Sequence, residues 1–287
     1  MATDYEGLLP VGVAREVIES AGRQSVVLRL ARTIPMPEGV TSIPVVSVVP
    51  QADWVALGAR KPLTKIEWSS ARLEAQEVAA TAAIPTAFIG DTSFDVEGSA
   101  QDELAKAVGR VVDAAVLFGT NAPPTFPVGG VVAGTAITGT DALDAIDKGA
   151  AAVEAAGLMP DGVASGPQIG SALRKAYREA GALPGDQPEP SVYGMRIAVT
   201  PLWDSTKSDA VVGAWENLLV GIREDIRFDV SEEGVLVDDA GVIQVSAFQD
   251  DMTLVRIYMR LGVVIGTPVK ADGSGPADAF VTVDWTP

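Results

Sequence analysis

Every side chain in this sequence that could take part in chemistry does so through oxygen or nitrogen, because cysteine and histidine are both absent. That excludes a disulfide, a thiolate nucleophile, a cysteine-type zinc site and an imidazole base, and leaves Asp, Glu, Lys, Ser, Thr and Tyr for acid–base or nucleophilic work. Carboxylates are plentiful, 38 Asp and Glu against 21 Lys and Arg. Abundance supplies no geometry, however, and no spacing sets one acid–base pair apart from the general negative surface, which makes a carboxylate hydrolase the weaker reading. Gly129-Gly130 lacks the spacing and the lysine of a phosphate-binding loop, and no GxGxxG precedes the longest helical pattern. No catalytic, cofactor-binding or metal-ligating residue is assigned, and no cofactor is expected.

The remaining chemistry is that of binding. Trp54 and Trp68 fall in an extended, turn-rich region with little core of its own, where a large aromatic anchors either on its own chain or on a neighbour. Lys61 and Lys65 lie in the same region and read first as solvated or salt-bridging charges. Arg223, Arg256 and Arg260 are scarce cations in a chain of formal net charge −17. They are either ordinary surface charges or planar, two-pronged partners for carboxylates of an adjacent chain. The same net charge opposes wrapping of a polyphosphate backbone, although it permits enclosing nucleic acid without adhering to it.

These residues must be positioned by a folded body. A length of 287 residues suffices for one large domain or two smaller ones, and 47% hydrophobic with 21% charged residues exclude general disorder. The amino terminus lacks the pattern of a signal peptide and no apolar run is long enough to span a bilayer, so a soluble, intracellular protein without membrane contact is expected. Two apolar clusters, Val13-Val17-Ile18 and Val26-Val27-Leu28-Leu30, need something to pack against. Ile43-Pro44-Val45-Val46 is strand-like, Gln51 to Leu63 is polar, and Ile66 to Ile84 reads as the return of a long two-stranded projection. Such a hairpin is marginal alone and implies contact with another chain.

The clearest helix lies between Phe94 and Phe118, with Leu104, Val108, Val111, Val112 and Ala115 assigned to its apolar face, Asp113 placed mainly elsewhere, and Gly119 as terminator. Helices follow Thr140 and Pro167. Strands are expected at Tyr193 to Thr200, Ala210 to Ala214, Asn217 to Ile222, Val242 to Phe248 and Met252 to Ile265, the last with Arg256 and Arg260 on one face. Helices and strands mix without a βαβ repeat, which favours an α+β fold.

In this order the chain resembles the major capsid proteins of tailed bacteriophages, the Hong Kong 97 type. The landmarks are Leu8-Leu9-Pro10, Ile43-Pro44, Asp53-Trp54-Val55, Asp91-Thr92-Ser93-Phe94-Asp95, Asp113 to Gly119, Pro127-Val128-Gly129-Gly130, Val192-Tyr193-Gly194-Met195, Gly213-Ala214-Trp215, Val220-Gly221-Ile222-Arg223 and Phe248-Gln249-Asp250-Asp251. The resemblance implies an amino-terminal arm at 1–31, then an extended β-hairpin loop and a peripheral domain with a long spine helix over 32–139. It further implies a mainly axial domain at 140–206, and over 207–287 the remaining axial strands and the return to the peripheral domain.

It also implies self-assembly into pentamers and hexamers of an icosahedral virion shell around double-stranded DNA, built in the bacterial host cytoplasm with scaffold and portal proteins as partners. Trp54, Lys61, Lys65, Trp68, Arg223, Arg256 and Arg260 are then candidate intersubunit contacts. Some relatives join an extended-loop lysine to an asparagine of a neighbour; no asparagine and glutamate are matched to that motif here, and Asn121 and Asn217, the only asparagines, leave such a crosslink open. An encapsulin-like compartment of the same fold is the alternative.

Overall fold

The computed structural model describes residues 25–48, 50, 52–91, 95–179, 191–238, 240–266, 268–270 and 275–285. The expected cluster at Val13-Val17-Ile18 and most of the proline-rich loop from Ala182 to Ser191 fall outside them.

From the start of the described chain, a short helix α1 (Val26–Leu30) leads into β1 (Arg32–Pro35). A hairpin of β2 (Val40–Val48) and β3 (Glu67–Glu74) follows, paired antiparallel from Val40↔Glu74 to Val48↔Glu67. Only Ala75 separates β3 from β4 (Gln76–Pro85), yet β4 is not part of the projection. It leaves the hairpin and pairs with a distant strand of the body, so the projection ends at Glu74 and the alanine-rich stretch 79–83 belongs to the four-stranded sheet.

After α2 (Thr86–Asp91) comes α3 (Val96–Phe118), the longest helix among the described residues. The Asp95 side chain accepts a bond from the Gly98 N–H at its start, and Gly119 at φ 65° ends it. That left-handed turn brings Gly119 against the backbone of Gly129 and Gly130, where a side chain would collide.

The second half builds a different layer. β5 (Thr135–Gly139), α4 (Ala142–Ala155), β6 (Gly162–Ser165), α5 (Gln168–Glu179), β7 (Ser191–Val192), β8 (Met195–Val199) and β9 (Ala210–Gly213) follow in turn. The chain then crosses through buried Trp215 into β10 (Leu218–Ser231), the small pair β11 (Val235–Val237) and β12 (Ile243–Ser246), the long β13 (Met252–Ile265), and finally β14 (Phe280–Trp285). Two sheets result: a four-stranded one ordered β1-β10-β13-β4 and a six-stranded one ordered β5-β14-β9-β6-β8-β7. Helix α3 packs on β4 and β13, whereas α4 packs on β5, β9 and β14. Trp215 stands where the chain passes between the sheets; its indole N–H donates to the Gly162 carbonyl at 3.0 Å and its ring meets Phe280 edge to face.

The apolar face of α3 is rotated from the expected one. Ala105, Val108, Gly109, Val112 and Val116 are buried, whereas Val111 is 53% exposed and Asp113 only 3%. At about 100° per residue Val111 lies roughly 120° from the centre of the buried face. The rotation arises because α3 is covered on two sides, by the sheet and by α1, and the second cover lies on the Asp113 side. Val111→Asp should therefore leave thermal stability within about 0.5 kcal/mol of the parent, while Val112→Asp, which buries an unpaired carboxylate, should cost several kcal/mol. Parallel melting curves of the two variants check this.

Candidate assembly surfaces

Among the described residues Asp113 is the one buried ionisable group, and it holds α1 against α3. Its carboxylate accepts the Ser25 hydroxyl at 2.7 Å, the Val26 N–H at 3.0 Å and the Val27 N–H at 3.1 Å, while Ser25 Oγ in turn accepts the Leu28 N–H. The first two orphan N–H groups of a five-residue helix are thus satisfied by a residue 87 and 86 positions away. Burial pushes the Asp113 carboxyl above its ordinary range; the bonds from Ser25, Val26 and Val27, and the Arg29 charge, oppose that rise. An aspartate amid polar helix positions gave no signal of this role in the sequence, apart from lying within the quoted run Asp113 to Gly119.

The projection is set by a close approach. Gly221 and Gly262 face each other across the β10–β13 ladder. A β-carbon on Gly221 would strike buried Met36, and one on Gly262 would come within 2.7 Å of the Glu74 carbonyl. These glycines let both ends of the β2–β3 hairpin lie directly over the sheet. From there the hairpin runs past the Leu218 and Ile265 end of the ladder and leaves a groove of about 300 Å³ lined by Arg32, Ile43, Val45, Trp68, Asn217 and Pro268.

Beyond the hairpin, Trp54, Leu57 and Leu63 are fully exposed, and Trp68 is largely so despite its place in the groove. Lys61 and Lys65 are exposed as well and make no ion pair among the described residues. Segment 52–66 therefore adds nothing to the core of its own chain, and its large apolar side chains are solvated.

The three arginines each have an intrachain partner. Arg256 pairs with Asp229, its opposite residue in the β10–β13 register, and lies over the Tyr258 ring at 5.3 Å. The Asp229 carboxylate holds the Arg256 guanidinium above its ordinary pKa. Arg260 reaches Glu224 at 3.8 Å, and Arg223 donates to the Met36 carbonyl at 3.4 Å. Arg256 and Arg260 share the outward face of β13, as their alternation with buried Val255, Ile257, Met259 and Leu261 requires. The structure brings these arginines together on one sheet and places Trp54, Lys61 and Lys65 apart from them, beyond one end of it.

Among the described residues no group of three or more His, Cys, Asp or Glu could hold a metal ion, and no helix is long and apolar enough to cross a membrane. A projecting, solvated loop on an α+β body is the form of a phage-capsid-like shell subunit. The chain belongs to the phage capsid family, whose model matches residues 6–269. It is accordingly a structural shell protein of the virion and not an enzyme.

Solved structures agree on the fold. A chain from Mycobacterium phage Adephagia is 25% identical with a TM-score of 0.75, over 92% of this chain and 91% of that one. One from Mycobacterium phage Bobi is 21% identical with a TM-score of 0.77, over 100% and 96%. A chain from the capsid of a native GTA particle is 14% identical with a TM-score of 0.61, over 100% and 94%. No curated protein matches the chain.

Asp113→Ala should strand two buried N–H groups and a hydroxyl and cost about 2–3 kcal/mol, with Asp113→Asn, which keeps one acceptor, costing less. Denaturant melts give the ranking, and faster amide exchange confined at first to residues 25–30 would locate the loss at α1.

Proposed function

We propose that this chain is the major capsid protein of a tailed phage of the Hong Kong 97 type. It assembles as pentamers and hexamers into an icosahedral shell around double-stranded DNA. The observation that carries the reading is the solvated projection, residues 52–66, in a chain of the phage capsid family. A segment that exposes this much apolar area in the monomer is stable and soluble only if assembly covers it.

In this reading α3 is the spine helix, and together with the β1-β10-β13-β4 sheet it forms the peripheral domain. The β2–β3 hairpin with its tip is the extended loop, and residues 1–31 are the amino-terminal arm, its inner end fastened by Asp113. The axial domain assigned to 140–206 is centred on α4, β6, α5, β7 and β8 and completed by β5, β9 and β14 from the flanking segments. Trp54, Trp68, Lys61 and Lys65 make contacts between subunits. Arg223, Arg256 and Arg260 do so as well, with Arg256 still 56% exposed beside Asp229 and open to a second carboxylate. Scaffold and portal proteins are the expected partners during assembly in the host cytoplasm.

Replacing 52–66 with a short glycine linker should leave a folded subunit of near-parental melting temperature that makes no normal shells by negative-stain microscopy. Normal particles from that variant would defeat the reading. The net charge of −17 further predicts that isolated subunits bind random double-stranded DNA negligibly near physiological salt. Tight, steeply salt-dependent binding in a filter or anisotropy assay would instead reveal a basic patch that the net charge conceals.

A further inference from the structure

The two layers of this molecule meet through small, apolar groups. Ala164, Ala198 and Val211 of the six-stranded sheet lie in one buried cluster with Val112, Val116 and Leu117 of α3. Such contacts carry no direction, so they resist separation far more than they resist a change of angle. Direction comes from two polar ties. One is Trp215, where the chain passes between the sheets: its indole N–H donates to the Gly162 carbonyl and its backbone N–H to the Asp161 carboxylate at 2.6 Å. A single tie of this kind is a pivot.

The other tie lies at the end of α3. Residues 200–209 join β8 to β9 across the end of β6, the strand that pairs with both. Their root is fixed to the six-stranded sheet, because the Thr200 N–H donates to the Ser165 carbonyl at 3.0 Å and the Ser165 hydroxyl donates to the Asp209 carbonyl at 2.8 Å. The loop is also closed on itself. The Thr206 N–H and hydroxyl both donate to the Asp204 carboxylate, and the Trp203 indole N–H donates to the Ser208 carbonyl at 2.6 Å. A β-carbon on Gly166 would lie 2.8 Å from that of Trp203, so glycine there admits the indole. The result is a preformed hook.

The hook grips Phe118, the last residue of α3. The Trp203 ring meets the Phe118 ring edge to face with centroids 5.1 Å apart. Lys207 Nζ donates to the Phe118 carbonyl at 2.9 Å and lies 5.6 Å from the centre of the same ring. Helix α3 has no basic residue in its own last turn, so Lys207 supplies the positive charge that the carbonyl end of a helix favours. We infer that loop 200–209 is a clasp that fixes the angle between the two layers, and that Lys207 is the residue that closes it. With Trp215 as the pivot, the second attachment removes the rotation that the first allows. The consequence for assembly rests on the reading of the chain as a shell subunit: the angle between layers is repeated in every copy of a closed surface, so the clasp keeps particle diameter uniform.

The test uses the full chain with Lys207→Met, which keeps an apolar stem over the ring and loses the donor, and Lys207→Arg, which keeps a donor and the charge. In the isolated subunit, Lys207→Met should raise amide exchange at residues 115–120 and 200–209 about tenfold, the factor that loss of a charge-assisted hydrogen bond of ~1.4 kcal/mol gives. Exchange in β13 should stay unchanged, and Lys207→Arg should stay near the parent throughout. Negative-stain images should then show a wider spread of particle diameters for Lys207→Met than for the parent or Lys207→Arg. Parental exchange in Lys207→Met overturns the clasp, and so does an equal rise in both variants, which would make side-chain packing and not the donated bond responsible. Raised exchange with a parental spread of diameters overturns its control of the angle. If the parent itself forms no shells, the shell reading fails, while exchange in the isolated subunit still upholds or overturns the clasp.

Discussion

The antiparallel pairing of β10 with β13 is the constraint on which the rest of this molecule depends. Each strand has 14 residues, and their ladder runs from Leu218↔Ile265 to Ser231↔Leu254, with two irregularities near Glu224. One face carries buried Val255, Ile257, Met259 and Leu261 toward α3, and the other carries Arg256, Tyr258 and Arg260 toward water. β1 and β4 add to the two outer edges, so the ladder fixes where the hairpin starts and where the body strand resumes. Antiparallel pairing suits such a piece because its two faces can differ, one packed on α3 and the other open to water around Arg256 and covered by the hairpin base at Gly221 and Gly262.

Asp113 performs a complementary task on the flank of α3 that meets α1. It is the capping acceptor for a helix far earlier in the chain, which makes the first described turn of the protein part of the central core and not an appendage. Val26, Val27 and Leu30 bury against the same helix, so polar and apolar docking coincide. A buried carboxylate is a costly way to hold five residues, and the cost is offset because its bonds go to groups that would otherwise be orphaned.

Legibility in the sequence followed the strength of local pattern. The strict alternation of Met252 to Ile265 gave that strand its observed bounds, and α3 and its Gly119 stop were readable because a long apolar stripe meets a single glycine. The rotation of α3 was not readable, since Asp113 and Val111 look respectively polar and apolar until a second covering element is known. β4 was joined to the projection because it follows β3 almost directly and its true partner, β13, lies far along the chain. β14 went unrecognised for a similar reason: six residues at the end of the chain acquire meaning only between β5 and β9. Of the candidate contacts, the exposure of Trp54, Lys61 and Lys65 could be foreseen from a turn-rich setting. The intrachain pairing of Arg256 with Asp229 could not, because it requires the β10–β13 register.

The facing pair Gly221 and Gly262 acts as a saddle. The ladder carries no side chain at these two positions, so the hairpin base seats directly on it, the Met36 side chain filling the space over Gly221 and the Glu74 backbone lying over Gly262. The orientation set at that base is carried along the whole length of β2 and β3, so the placing of tip residues 52–66 depends on two positions where any side chain would collide.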